Sequence, residues 1–241
     1  RKEKEYFEEQ VKLYYENKLK IYEEENEKFE DYEIDVAFIG DSLTAGYGNS
    51  PHLSESTSYC AQNTDNWNSY TGIVARHYGA DATVIAHQGK GVYANHSGST
   101  TNTMSEMFNY SEIVASGYNM STKALHDFSS YQPQLVSVLL GANDMTAGVD
   151  LETFKEAFEA LLDNIRSKYP NAKILCVTIT GRKHSNTIKE IVDERGEDNN
   201  YYLLNLNKFQ STSLGHPDIE EGKRMAEQFI AKIDTIEGLW D

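Results

Sequence analysis

Apolar, β-branched and aromatic residues recur along this chain in short runs at 34–40, 81–86, 134–140, 173–179 and 201–206, and between them the apolar positions change to a three- and four-residue step. The short runs predict strands; the wider spacing predicts helices over about 66–79, 120–130, 151–169, 184–195 and 217–235. The clearest helix is 151–169, where Leu151, Phe154, Phe158, Leu161, Leu162 and Ile165 fall on one stripe and Pro170-Asn171 ends it. Strands alternating with helices imply parallel pairing with helices on both faces, a three-layer α/β fold. For five strands the flavodoxin-like order 2-1-3-4-5 is expected, with chemistry at the carboxyl ends of the strands.

Residues 1–33 have a different pattern. They lack Gly and Pro, are dense in Glu and Lys, and set Phe7, Val11, Tyr15, Leu19, Tyr22 and Phe29 at helical steps, so one long amphipathic helix is expected ahead of a globular domain at 34–241. Its stripe has three readings: packing along the domain, a solvated stalk, or self-association with a partner helix. Asn26, several Tyr and the lack of a strict apolar heptad weigh against the last.

Candidate chemistry begins where the first apolar run ends. Residues 38–48 read Phe-Ile-Gly-Asp-Ser-Leu-Thr-Ala-Gly-Tyr-Gly. A strand closing on Gly40 can turn sharply and present Ser42 at the sheet edge as a nucleophile. Gly-Asp-Ser alone also occurs in ordinary turns. Three further segments follow in order: His87-Gln88-Gly89-Lys90-Gly91 after the second run, Gly141-Ala142-Asn143-Asp144 after the third, and Leu214-Gly215-His216-Pro217 near the C-terminus.

These four blocks resemble the GDSL, or SGNH, family of serine esterases. The resemblance implies Ser42 as nucleophile, His216 as general base, and an oxyanion hole made by the Ser42 and Gly89 backbone N–H groups and the Asn143 side-chain amide. Each role has a chemical reason. A serine hydroxyl needs a neutral imidazole within hydrogen-bond reach to take its proton. The charge that develops on the tetrahedral oxygen needs donors already in place. Glycine allows close approach, and an asparagine amide donates without titrating. The wider family has Asp three residues before the histidine, where this chain has Ser213. A Ser42–His216 dyad with a backbone carbonyl on the imidazole Nδ1–H is therefore expected; Asp144 and Asp218 are the nearest alternative carboxylates. Such dyads are a feature of the carbohydrate esterase family 2 branch, which removes acetyl groups from plant polysaccharides and which the wording of these blocks is similar to. Members of that branch often carry a β-sandwich ahead of the catalytic domain; this chain has residues 1–33 there.

Composition narrows the partners. With 22 Lys and Arg against 38 Asp and Glu, net charge −16, and no basic cluster beyond the N-terminal few residues, nucleic acid is a poor partner and an uncharged sugar a better one. No apolar run approaches a membrane span and no signal-peptide pattern is visible, but the chain begins with Arg1 rather than Met, so a targeting segment can precede it. The expected location is extracellular or cell-surface rather than cytoplasmic. Cys60 and Cys176 are expected as free thiols, and no Cys/His spacing suits zinc. Neither a metal nor an organic cofactor is expected.

The stretches 46–66 and 91–119 are rich in Ser, Thr, Asn and Tyr and leave the strands that carry Ser42 and Gly89, so they are expected to wall a cleft. Tyr47, Tyr59, Trp67 and Tyr93 are candidates for stacking on sugar rings, with local packing as the alternative for each. His77, His87 and His126 are expected to be structural or exposed. The resulting expectation is a serine esterase removing acetyl groups from a carbohydrate. An O-acetyltransferase sharing the acyl-enzyme, a lipid esterase or thioesterase, and a carbohydrate-binding protein with a degenerate site are the alternatives; polar, Tyr-rich loops argue against the lipid reading.

Overall fold

The computed structural model describes residues 34–50, 61–111, 124–210 and 215–239. The helix expected over 1–33 lies outside these residues, as do Tyr59, Cys60 and Ser213. Five strands, β1 Asp35–Gly40, β2 Asp81–Ala86, β3 Leu135–Leu139, β4 Lys173–Ile179 and β5 Tyr201–Leu206, form one parallel sheet in the order β2-β1-β3-β4-β5. This is the expected flavodoxin-like arrangement. Each strand matches its apolar run to within a residue at either end.

Alternation along the strands sorts the core into two layers. Ala37, Ile39, Val136, Val138, Ile174 and Cys176 face α5 Leu151–Lys168 and α6 Ser185–Arg195, where they meet Phe154, Phe158, Leu162, Ile165, Ile188 and Ile191. Val36, Phe38, Leu139, Leu175 and Val177 face α2 Tyr70–His77 and α7 Ile219–Ile233, where they meet Tyr70, Val74, Met225, Phe229 and Ile233. Both faces of β1, β3 and β4 are covered, which is why those strands read as continuous apolar runs rather than alternating ones. The edge strand β2 keeps several side chains partly or fully exposed.

Two expectations change. Leu151, placed on the buried stripe, is 44% exposed because it is the first residue of α5, directly after the Asp150 cap and ahead of the turns that meet the sheet. The helix expected over 120–130 is not seen in its described part. Residues 124–130 instead form a bridge from Leu125 to Tyr110 and a 3-10 turn at Phe128–Ser130. There the Asp127 carboxylate accepts from both the Ser129 N–H and its hydroxyl, a local bond that competes with helix.

Candidate active site

The turn that carries Ser42 is built by close packing. A Cβ on Gly40 would lie 1.9 Å from Thr44 Oγ1 and 2.9 Å from the Leu139 carbonyl oxygen, so only glycine lets the chain fold back over the end of β1. Asp41 caps the short helix α1 Ser42–Ala45 by accepting the Leu43 N–H at 3.0 Å. Ser42 opens that helix, and its own N–H has no acceptor among the described residues. A free amide there is a donor available to substrate. Thr44 anchors the turn from below through a 2.8 Å bond between its hydroxyl and that of the buried Tyr70.

His216 reaches this turn from the far end of the chain. Its Nε2 lies 2.8 Å from Ser42 Oγ, within the range a general base needs. The Tyr47 ring stands edge-on to the imidazole, centroids 4.8 Å apart at 85°. The segment is tied down by Asn49, whose amide donates to the Asp218 carbonyl at 2.7 Å.

The two carboxylates considered as substitutes for the absent aspartate are occupied elsewhere. Asp218 caps α7, accepting the Glu221 N–H at 2.8 Å. Asp144 is fully buried and accepts three backbone N–H groups, from Val92 at 2.9 Å, Tyr93 at 2.8 Å and Ala94 at 2.9 Å. It organises the loop that follows Gly89.

The ends of β1, β2 and β3 bring the remaining parts together. Gly89 adopts φ +74°, a left-handed conformation suited to glycine, and its N–H also lacks an acceptor among the described residues. Asn143, in the short helix α4 Ala142–Ala147 (after α3 Met104–Met107), is buried. Its amide donates to the Lys90 carbonyl at 2.8 Å and to the Asp41 carboxylate at 3.2 Å. Both protons are therefore engaged. Donation to an oxyanion requires sharing the longer bond.

Sequence reading missed two electrostatic participants. Asp41 is 1% exposed; burial pushes its carboxyl up from the ordinary range, and Arg182, the Leu43 N–H and His216 pull it back, while Asp144 adds to the rise. Arg182 lies in the turn after β4, with burial lowering and Asp41 raising the affinity of its guanidinium for the proton. Asp41 stands next to the nucleophile in sequence, which is a usable signal. Arg182 carries none, because only the sheet order brings its turn to this edge.

The expected sugar platforms separate. Tyr47 is buried at 7% exposure and serves the imidazole. Trp67 has the Arg76 guanidinium over its ring at 4.0 Å. Tyr93 is 44% exposed on the loop held by Asp144 and is the open aromatic surface of the three. Among the described residues no group of three or more His, Cys, Asp or Glu side chains is placed to hold a metal, and no helix is long and apolar enough to cross a membrane.

Comparison with known proteins places this arrangement. Over 211 residues the chain is 31% identical to the cellulase/esterase CelE of Acetivibrio thermocellus, a match covering 82% of this chain and 25% of that protein. A family two carbohydrate esterase from Clostridium thermocellum, solved in complex with cellohexaose, is 28% identical with a TM-score of 0.74, covering 88% of this chain and 66% of that one. An acetyl xylan esterase from the rumen bacterium Butyrivibrio proteoclasticus shares the fold at 18% identity and a TM-score of 0.74, over 88% of this chain and 66% of that chain. This chain thus spans a quarter of the curated relative's length and just under two thirds of these solved chains. The GDSL-like lipase/acylhydrolase family model matches residues 38–213, and the chain belongs to that family.

Proposed function

We propose that this chain is a carbohydrate esterase that removes O-acetyl groups through an acyl-enzyme on Ser42, with His216 as its base. The 2.8 Å contact between Ser42 Oγ and His216 Nε2, with two backbone N–H groups at the same sheet edge that have no acceptor among the described residues, is the observation that carries the reading. Similarity to family two carbohydrate esterases supports the sugar substrate.

Ser42 Oγ attacks the acetyl carbonyl carbon while its proton passes to His216 Nε2. The carbonyl oxygen becomes an oxyanion facing the Ser42 and Gly89 N–H groups, and the Asn143 amide joins them by sharing the proton it directs at Asp41. Collapse breaks the bond to the sugar oxygen, which takes the proton back from His216. Water, deprotonated by the same imidazole, then attacks the acetyl-serine; the bond to Ser42 Oγ breaks, the serine oxygen takes that proton back from His216, and acetate leaves. While His216 is positive, the Asp41 carboxylate attracts it, the reciprocal of the effect His216 has on Asp41. With Asp144 and Asp218 engaged in other bonds, a backbone carbonyl is the proposed acceptor for the Nδ1–H. The exposed ring of Tyr93 is the proposed sugar contact, and a polymeric substrate places the enzyme outside the cell or on its surface.

The test is acetate release from acetylated xylan and mannan and from 4-nitrophenyl acetate, with and without a sugar acceptor. Ser42→Ala and His216→Ala are each expected to lower kcat on the order of 10³-fold or more. Ser213→Ala is expected to stay within about twofold of wild type, and a large loss would refute the carbonyl assignment. Acceptor-dependent sugar acetylation would make the protein an O-acetyltransferase. No turnover in any assay would make it a carbohydrate-binding protein with a degenerate site.

A further inference from the structure

We propose that Arg182 is a substrate-binding residue whose guanidinium donates to two neighbouring hydroxyl oxygens of the carbohydrate while its acetyl ester stands at Ser42. The proposal rests on the carbohydrate acetylesterase reading above.

Its first support is position. In the sheet order β2-β1-β3-β4-β5, the chain leaving β3 supplies Asn143, and the chain leaving β5 leads to His216. The chain leaving β4 supplies Arg182, so this residue comes from the strand end lying between the amide and the base. It is near enough to Asp41, beside the nucleophile, for the two charges to act on one another.

The second support is what the guanidinium lacks. It makes no hydrogen bond and no ion pair among the described residues, although it is partly buried. The other four described arginines are all engaged. Arg76 donates to the Trp67 carbonyl, Arg166 to carbonyls including those of Pro170 and Ala172, Arg195 to Asp163 and Tyr201, and Arg224 to Glu221. Asp41 does not supply the missing acceptor: no hydrogen bond or ion pair joins the two side chains, and the Asp41 oxygens receive the Leu43 N–H and the Asn143 amide instead. A partly buried guanidinium with five donors and no protein acceptor is open to acceptors from outside, water in the free protein and substrate oxygens in the complex.

The backbone of the turn that carries it is firmly held, so binding has only the side chain to order. Thr180 N–H donates to the Leu206 carbonyl at 2.9 Å, and Arg182 N–H to Ile179 at 3.1 Å. Two residues on, the buried His184 lies flat on Phe154, ring centroids 4.0 Å apart, with Nδ1 3.2 Å from the Gly141 carbonyl oxygen. An acceptor from outside is either a carboxylate or an uncharged oxygen. The Asp41 charge offsets that of Arg182, and a chain of net charge −16 repels an acidic polysaccharide, so adjacent neutral hydroxyls fit better. The planar fork of arginine matches two such oxygens.

The experiment compares wild type, Arg182→Met and Arg182→Lys on an acetylated xylo-oligosaccharide and on 4-nitrophenyl acetate, after thermal unfolding shows that the variants fold. Arg182→Met is expected to lower kcat/KM for the sugar ester about 10- to 100-fold, mainly through KM, as loss of hydrogen bonds from a charged donor implies. That loss should exceed the loss on 4-nitrophenyl acetate, whose leaving group offers no hydroxyls, by at least tenfold. Arg182→Lys, with one ammonium in place of the fork, should recover part of it. Equal losses on both esters would overturn the proposal and make Arg182 a support of the catalytic centre through Asp41. A sugar ester hydrolysed by Arg182→Met as well as by wild type would also overturn it. A wild type that cleaves 4-nitrophenyl acetate but no sugar ester would instead sink the carbohydrate reading, and with it this proposal.

Discussion

Asp144 lies beside Asn143 in sequence, yet its work is to hold a loop, and that division is open to measurement. One carboxylate oxygen accepts the Tyr93 and Ala94 N–H groups and the other accepts Val92. Val92 and Ala94 are only 2% and 3% exposed, so water cannot replace the lost acceptor without opening the loop. Asp144→Ala leaves at least two buried N–H groups without partners, at about 1–3 kcal/mol each, for a loss of about 2–6 kcal/mol. Against a total stability of about 5–15 kcal/mol that is a large fraction. Asp144→Asn keeps one acceptor oxygen for Tyr93 and Ala94 but turns an NH2 toward the Val92 N–H, so the expected loss is about 1–3 kcal/mol. Urea unfolding, read as midpoint and slope, measures both. Activity should fall as well. The same segment carries Gly89 and the Lys90 carbonyl that holds Asn143 at 2.8 Å, so displacing it disturbs the two groups proposed to face the oxyanion. A kcat loss of about 10- to 100-fold is expected for Asp144→Asn, below the roughly 10²–10³ of a donor fully removed. An Asp144→Asn protein within about 0.5 kcal/mol of wild type and with unchanged kcat would refute the reasoning, since surface-like tolerance is incompatible with three buried bonds.

Two further outcomes follow from the packing. Phe229 is fully buried and stacks on Tyr70 at 4.4 Å, and Tyr70 in turn bonds Thr44 beneath the nucleophile; Phe229→Ala is expected to cost about 3–5 kcal/mol in urea unfolding, and a cost below about 1 kcal/mol would mean the layer is not packed as described. Cys176 is fully buried in β4, and burial pushes its thiol up to about 12, so at pH 8 little thiolate forms and no reagent reaches it. Iodoacetamide followed by peptide mapping should leave the Cys176 peptide unmodified in the native protein and label it in urea; labelling at equal rates in both would place the residue elsewhere.

The strands were legible because β1, β3 and β4 are covered on both faces, so burial writes itself as unbroken apolar runs such as Leu135 to Leu140. The segment around Phe128 was misread because aromatic residues at helical spacing also serve a cluster: Phe128 packs on Phe108 and Tyr169 while Asp127 holds a local turn. In the site, Ser42 and His216 were legible from motif chemistry, and the structure brings them within 2.8 Å across 174 residues. The work of Asp144 was not, because its partners lie 50 to 52 residues upstream and are backbone groups, which no side-chain pattern records. Sugar stacking and local packing both stand open for Tyr47 in the sequence, because exposure is invisible there; its ring is buried against the imidazole, which favours packing.

The absent aspartate at position 213 looks like a deficit only when residues are counted along the chain. A third carboxylate in such a site orients the imidazole and stabilises its positive form, and these duties are separable. Orientation can come from packing and a neutral acceptor, and the Tyr47 ring edge already restricts how the imidazole turns. Stabilisation needs only a negative charge close by that does not move. In the proposed mechanism that charge is Asp41, which is buried and whose oxygens are fixed by the Leu43 N–H and the Asn143 amide. Burial works against its ionisation, and the Leu43 N–H opposes that penalty. In the proposed mechanism the capping residue of the Ser42 turn carries the electrostatic half of the missing residue's role, while Asp144 and Asp218 remain with the backbone groups they hold.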